Sequence, residues 1–259
     1  MRVRLLDVEL EAVSLPAAVD QVMDLVDRGQ GGLVVTLNVD QAVLLQKEAG
    51  LRTTYDVADL VYADGMPLVW LSRLLRRRLP GRVTGSDLAP ALLARAADEG
   101  RSVHLVGGMP EAALRAREHV LRLHPDLRWT GEQTPDRGFE HDPKTDRAVA
   151  TAVAATNPDL VLMCLGTPKQ EEWALRHRDS LPSSVLVCVG AAVDFLGGTV
   201  RRAPPWMQRA GLEWAYRLVQ EPRRLWRRYL VQDLAFLRLA VVELRTWRRD
   251  RSATPDASI

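Results

Sequence analysis

Five short apolar runs each end on a glycine or a polar corner and lead into a stretch with helical spacing, and this pattern limits the possible folds more than any other feature. The runs cover residues 33–37, 60–63, 102–106, 160–165 and 185–189, ending at Asn38, Asp64-Gly65, Gly107-Gly108, Gly166-Thr167-Pro168 and Gly190. Strands that are apolar throughout, rather than on alternate residues, are buried on both faces, and helices between them supply the cover. The expected fold is therefore α/β, a doubly wound, mostly parallel sheet of the Rossmann-like kind. At 259 residues and 47% hydrophobic, the chain can bury one large core and still carry an appendage.

Helices are expected over 40–49, stopped by Gly50, then from Pro67 to about 78, over 86–99 with Gly100 as the stop, and over 111–123 and 143–156, with a short strand near 127–130. After about Thr199 no strand follows. Pro204-Pro205 breaks the chain, and helices are expected over 206–219 and 223–248, with 252–259 as a frayed end. This divides the chain into a catalytic α/β domain over 1–199, a helical appendage over 200–250 and a flexible tail over 251–259.

Charge follows the same division. Residues 201–259 hold thirteen arginines against six acids, a net +7, which leaves −5 on residues 1–200. A basic block carrying Trp206, Trp214, Tyr216, Trp226, Tyr229 and Trp247 suits an anionic membrane surface. Nucleic acid could use the same composition, but the apolar stripe Leu230, Leu234, Leu237, Val241, Leu244 is not needed for duplex binding. That stripe could equally pack on the core or form a homo-oligomer contact. No run of about eighteen uninterrupted apolar residues exists and the start lacks a signal-peptide core, so the expected place is cytoplasmic, at the surface of a membrane. Cys164 and Cys188 lie inside apolar runs and are expected to be core residues.

In an open α/β sheet, ligands bind beyond the carboxyl ends of the strands. Asp64 stands at such an end and is the first candidate for chemistry. Asp-Gly is also a good turn dipeptide, with Asp64 capping the helix that Pro67 opens, and on the pair alone the turn is the commoner role. Thr36 and Asn38 alternate around Leu37, so they point the same way toward a ligand, although Asn38 could simply cap the next helix. The corners Gly107-Gly108, Gly166-Thr167 and Gly190 can offer backbone N–H groups to phosphate, or can be glycines because tight turns need them. Lys169 opens a helix, a poor dipole position unless it meets an anion or faces solvent. Gly-x-Gly-x-x-Gly and the P-loop are both absent, which argues against NAD(P) and ATP. There is no Asp-x-Asp and no His-x-x-x-His, so no metal and no cofactor is expected.

Taken in order, Thr36-Leu37-Asn38, Ala63-Asp64-Gly65, Arg82-x-x-Gly85-Ser86-Asp87, Leu105-Val106-Gly107-Gly108, Leu165-Gly166-Thr167-Pro168-Lys169-Gln170-Glu171 and Gly190 to Asp194 resemble the WecG/TagA/CpsF family of bacterial glycosyltransferases. So do Arg202-Ala203-Pro204, Gly211-Leu212-Glu213-Trp214-x-Tyr216-Arg217 and Glu221-Pro222-x-Arg224, and the likeness spans about residues 5–230. The resemblance implies a metal-independent, inverting transfer of a sugar from a UDP-sugar to a polyprenyl-diphosphate-linked sugar at the inner membrane face. In the TagA branch the donor is UDP-N-acetylmannosamine and the acceptor carries N-acetylglucosamine. It also implies that Asp64 is the general base, that Thr36, Asn38 and Gln170 are polar site positions, that Arg82 is a site arginine, and that the tail arginines close over the site.

Gly107, Gly108, Gly166, Lys169, Gln170, Glu171 and Asp194 are accordingly the expected substrate-binding positions on the sheet. Arg217, Arg224 and Arg228 are the expected ones on the tail. Those three share a helical face only if one helix runs unbroken through Pro222. Met66-Pro67 after the Asp-Gly, and Val193 before Asp194, depart from the commonest family pattern and leave the sugar open.

Overall fold

The computed structural model describes residues 1–227 and 234–253. In chain order the elements are β1 (Arg2–Leu5), β2 (Val8–Glu11), α1 (Leu15–Arg28), β3 (Gly32–Leu37), α2 (Val39–Leu44), α3 (Ala49–Val57), β4 (Leu60–Ala63), α4 (Met66–Leu74), α5 (Gly85–Asp98), β5 (Ser102–Gly107), α6 (Pro110–Leu123), β6 (Arg128–Gln133), α7 (Pro143–Thr156), β7 (Leu160–Cys164), α8 (Lys169–His177), β8 (Val185–Cys188), α9 (Ala192–Leu196), α10 (Pro205–Arg209), α11 (Glu213–Gln220), α12 (Pro222–Arg227) and α13 (Leu234–Ala253). Strands β3 to β8 form one parallel sheet in the order β4-β3-β8-β7-β5-β6. The chain steps outward from β3 to β4, crosses to β5 and β6, and fills the centre with β7 and β8. This winding opens a crevice at the carboxyl ends of the central strands.

Alternate residues of each strand enter two separate cores. Leu33, Val35, Leu37, Val161, Met163, Leu186 and Cys188 face one side with α2, α3 and α8, while Val34, Leu160, Leu162, Val185 and Val187 face the other with α1, α5 and α6. That two-sided burial is the physical reason for the apolar runs. Cys164 and Cys188 are free and buried.

Two expectations are corrected, and one further element was not expected. The helix expected over 40–49 is two: α2 ends at Leu44, and α3 begins at Ala49 and runs through Gly50. Gly50 is not a stop; it lets α3 lie close to α8, with Glu172 Oε1 3.1 Å from where a Cβ would stand. The chain also opens with an antiparallel hairpin, β1 on β2, whose turn places Leu6 and Asp7 at positive φ (52° and 60°) without glycine or asparagine to announce it. The tail helices are shorter than expected. Gly211, with φ 69°, separates α10 from α11 within the helix expected over 206–219, while Glu221 (φ −130°, ψ 58°) stands in the expected gap between α11 and α12.

α13 returns to the body. Phe236 is buried and Leu239, Ala240, Leu244 and Trp247 pack on the same core as α2, while Arg77 Nη1 meets Glu243 Oε1 at 3.0 Å. Leu234, Leu237, Val241 and Val242 are exposed. The stripe read from the sequence is thus split between two faces, and its Leu230, like Tyr229 and residues 254–259, lies outside the described residues.

Candidate active site

Asp64 is placed by its backbone before its side chain is considered. Its N–H donates to Leu37 O at 2.7 Å and Val83 N donates to Ala63 O at 2.8 Å, which fixes the residue between the ends of β3 and β4 and the segment leading to α5. Gly65 then turns the chain with φ 137°, a conformation that side chains rarely adopt. Gly65, not Asp64, is the N-cap of α4, and it makes no side-chain cap hydrogen bond. Asp64 Oδ2 instead faces the start of α5, accepting from Gly85 N at 3.4 Å. Burial pushes its carboxyl up to about 6, with the Glu213 charge adding to the rise, against the Gly85 N–H and the charges of Arg82 and Arg217. Raised to that value, the group is still mainly a carboxylate at neutral pH and takes up a proton readily.

Thr36 and Asn38 stand on the neighbouring strand end. Thr36 is buried on β3 and its carbonyl accepts from Tyr55 OH at 2.5 Å. Asn38 does cap α2: its Oδ1 accepts from Gln41 N at 3.0 Å and its own N–H donates to Gln41 Oε1 at 2.8 Å. The cap fixes Gln41, whose Nε2 reaches across to Thr167 Oγ1 and Glu171 Oε1, both at 2.9 Å.

Glu171 is fully buried. Its Oε1 also accepts from Thr167 Oγ1 and Gln170 Nε2 at 2.9 Å, and Gln170 Oε1 accepts from Gly190 N at 3.0 Å. One carboxylate therefore ties together the ends of β3, β7 and β8. Burial pushes the Glu171 carboxyl up, against the hydrogen bonds from Gln170, Thr167 and Gln41 that favour its charged form. With 2% and 0% exposure, Gln170 and Glu171 support the floor of the crevice and do not stand free in it. Lys169 is paired with Glu140.

The glycine corners divide into two kinds. A Cβ on Gly107 would meet the Cys164 carbonyl at 2.5 Å, and one on Gly108 would meet Val193 Cγ1 at 2.8 Å, so close packing explains both. Gly166 (φ 79°) and Gly190 (φ 58°) have nothing within 4 Å, which leaves their corners open. Asp194 stands in the first turn of α9 and its carbonyl accepts from Thr199 Oγ1 at 3.0 Å.

The tail reaches the site through charges. Arg82, in the segment before α5, donates from Nη1 to Glu213 Oε2 at 2.7 Å and from Nη2 to Gln208 Oε1 at 3.1 Å. Arg202 Nη1 meets Asp87 Oδ1 at 2.6 Å, and its Nε lies 3.5 Å from Glu213 Oε1. Burial alone would raise the Asp87 carboxyl, but Arg202 and Thr84 hold it below its ordinary value. Arg217 of α11 lies over the Phe195 ring at 5.4 Å, and its Nε is buried without a partner. A Cβ on Gly211 would meet Trp70 at 2.7 Å, so the α10–α11 turn sits directly on α4.

The condition for a shared face of Arg217, Arg224 and Arg228, one helix unbroken through Pro222, is not met, because Glu221 ends α11 and Arg217 and Arg224 stand on different helices. Arg224 belongs to α12 but its side chain, like the whole of Arg228, lies outside the described residues. Gln41, Arg202 and Glu213 were not singled out from the sequence. Arg202 and Glu213 stood inside quoted motifs, but their partners are over a hundred residues away in the chain. Among the described residues no group of three His, Cys, Asp or Glu side chains is arranged to hold a metal ion. A cavity of about 230 Å³ lined by Arg2, Arg52, Asp56 and Asp59 lies at the amino end of β4, away from Asp64.

This geometry can be set beside known proteins. The chain is 32% identical over 204 residues to the N-acetylglucosaminyldiphosphoundecaprenol N-acetyl-beta-D-mannosaminyltransferase of Bacillus spizizenii, covering 79% of this chain and 77% of that one. The model of the WecG/TagA/CpsF glycosyl transferase family matches residues 3–251, nearly the whole length. By that match and by the arrangement of its strand-end corners, the chain belongs to the WecG/TagA/CpsF family of glycosyl transferases.

Proposed function

We propose that the chain transfers N-acetylmannosamine from UDP-N-acetylmannosamine to an N-acetylglucosamine carried on a polyprenyl diphosphate, with inversion at the anomeric carbon and without a metal. The observation that carries this reading is Asp64, a buried carboxyl at the carboxyl end of β4 whose Oδ2 faces the start of α5, raised to about 6 and within electrostatic reach of Arg82 and Arg217. An acceptor hydroxyl attacks the anomeric carbon while Asp64 takes its proton. The carbon–oxygen bond to the diphosphate breaks, and its electron pair leaves with UDP. A single displacement from the opposite face inverts the centre, and one carboxylate suffices for it. Arg82 and Arg217 oppose the charge that develops on the diphosphate, with the open corner at Gly166 offering a backbone N–H group.

The relative's printed activity supports the choice of sugars. Among the described residues no helix is long and apolar enough to cross a membrane. We assign attachment to an anionic membrane surface on the cytoplasmic side to residues 200–250, where exposed Trp206, Trp226, Leu237 and Val241 lie among arginines. Residues 1–199 form the donor-binding domain in this reading.

The test is a donor panel of UDP-sugars with a lipid-linked N-acetylglucosamine acceptor, read as UDP release in EDTA. Release should require both acceptor and UDP-N-acetylmannosamine and should be unchanged by the chelator. Binding of UDP-sugars without turnover across the panel would replace the enzyme reading with a nucleotide-sugar-binding one. A rate abolished by EDTA and restored by a divalent cation would contradict metal independence.

A further inference from the structure

The charged contact between the tail and the α/β body lies beside Asp64, and its two halves are unequal. Arg82 belongs to the body, yet both acceptors of its guanidinium come from the tail: Glu213 Oε2 at 2.7 Å from the first turn of α11, and Gln208 Oε1 at 3.1 Å from α10. Glu213 is in turn held by Arg202, whose guanidinium bridges to Asp87 in the first turn of α5. The side chains of Arg82 and Glu213 are 15% and 17% exposed, so this pair is mostly removed from water, unlike the surface pairs elsewhere on the molecule. A carboxylate placed between two guanidiniums in such a setting fixes their direction as well as their charge.

We infer that Glu213 is a positioning residue for the transfer: it holds Arg82 in the orientation in which that guanidinium meets the donor diphosphate beside Asp64. This rests on the proposed transfer for the identity of the anion. It gives the α10–α11 segment a role in the chemistry that is separate from attachment to a membrane. The arrangement also places two acidic groups near one another among several cations. Asp64 faces Gly85 and Arg82 from the α5 side, Glu213 and Arg217 from α11, and Tyr55 lies within electrostatic reach on α3. Removing the Glu213 charge takes away one of the influences that keep Asp64 high.

The test uses the full-length protein in detergent with a short-chain lipid acceptor, so that membrane attachment plays no part. Glu213→Ala should lower kcat by roughly ten- to a hundredfold, the scale of a misplaced catalytic contact. Arg82→Ala should do the same, and adding Glu213→Ala to it should cost less than about twofold more, because residues acting through one another are not additive. Glu213→Gln keeps an oxygen for Arg82 but loses the charge, and should move the acidic limb of the pH–rate profile to lower pH. Thermal melting of each variant separates these effects from loss of fold.

UDP affinity by calorimetry repeats the cycle without turnover. Glu213→Ala should weaken UDP about tenfold in the wild-type background and not at all in Arg82→Ala. Multiplying losses, or a Glu213→Ala protein with wild-type kcat and UDP affinity, would overturn the inference. A wild type that binds UDP with this coupling but never turns over would instead sink the proposed reaction and leave the Glu213–Arg82 unit standing.

Discussion

Asp64 is a carboxyl whose environment works against its own ionisation. Burial raises it from 3.8 to about 6, so the folded protein holds this proton more tightly than the unfolded chain does, and the stability this gives is lost as pH rises through that interval, with the full cost of the buried charge present above about 6. Two outcomes follow. Acceptor-dependent transfer should rise with pH through an apparent value near 6 and then level off, measured as UDP release between pH 5 and 8. Asp64→Asn should melt at the same or a higher temperature than wild type at pH 7.5, because the amide carries no charge to desolvate. A destabilised Asp64→Asn protein would mean that Asp64 serves the fold. The sequence placed Asp64 at the strand end correctly but could not choose between a turn and a catalyst. The capping role is removed by Gly65, which caps α4 itself, and the contact of Oδ2 with Gly85 of α5 lies beyond local sequence reading. Gly107 and Gly166 likewise look alike in the sequence, and only their neighbours separate them. Gly107→Ala should cost about 2 kcal/mol or more through contact with the Cys164 backbone, whereas Gly166→Ala, in open space, should cost only the roughly 1–2 kcal/mol of a left-handed conformation, both read by denaturant unfolding.

At the level of elements, the crevice is built by strand ends that must keep register with one another, and Glu171 does this from beneath. Three donors, Gln41 Nε2, Thr167 Oγ1 and Gln170 Nε2, converge on its Oε1. Glu171→Leu would leave Gln170 Nε2 buried without its acceptor and would take one acceptor each from Thr167 Oγ1 and from Gln41 Nε2, which keeps Thr167 Oγ1, at about 1–3 kcal/mol for each buried group left unpaired. Its melting temperature should fall by roughly 5 °C or more, since a chain of this size loses about 2–4 °C per kcal/mol. Glu171→Gln keeps one oxygen in place and should fall much less. Equal melting temperatures for the two would remove the network from the account. Five strands of the parallel sheet were legible because burial on both faces leaves a continuous apolar signature, and α7 was expected at the bounds it has, whereas β1, β2 and α1 were not expected. Gly50 was misread as a stop because a glycine demanded by helix–helix approach is spelled the same way as one demanded by a turn. The break between α11 and α12 was legible, because Pro222 opens α12, whereas the break between α10 and α11 at Gly211 was not expected.

Across the whole molecule, the tail is held at two ends of its path: Arg82, Arg202 and Glu213 fasten α10 and α11 beside the site, and Phe236, Leu244 and Glu243 fasten α13 to the core. The exposed face of α13, with Leu237, Val241 and Val242 near Arg238 and Arg245, carries the proposed membrane contact. Leu237→Ser with Val241→Ser should cut co-flotation with anionic liposomes several-fold while leaving transfer to a detergent-dispersed acceptor unchanged. Unaltered flotation would move the lipid contact elsewhere on residues 200–250. Composition and charge had shown that the C-terminal block differs from the rest, but not that Leu244 of its apolar stripe is turned inward while Leu234, Leu237 and Val241 are exposed, because that depends on which face of α13 meets α2. The claim on which all these levels converge is that one carboxylate performs the proton transfer. Its most direct test is the acceptor-dependent UDP release of Asp64→Asn against wild type at pH 7.5 in EDTA, with UDP-sugar binding measured in parallel. A rate lower by roughly 10²–10⁴ with binding retained is the result expected of a lost general base, and a rate equal to wild type would contradict it.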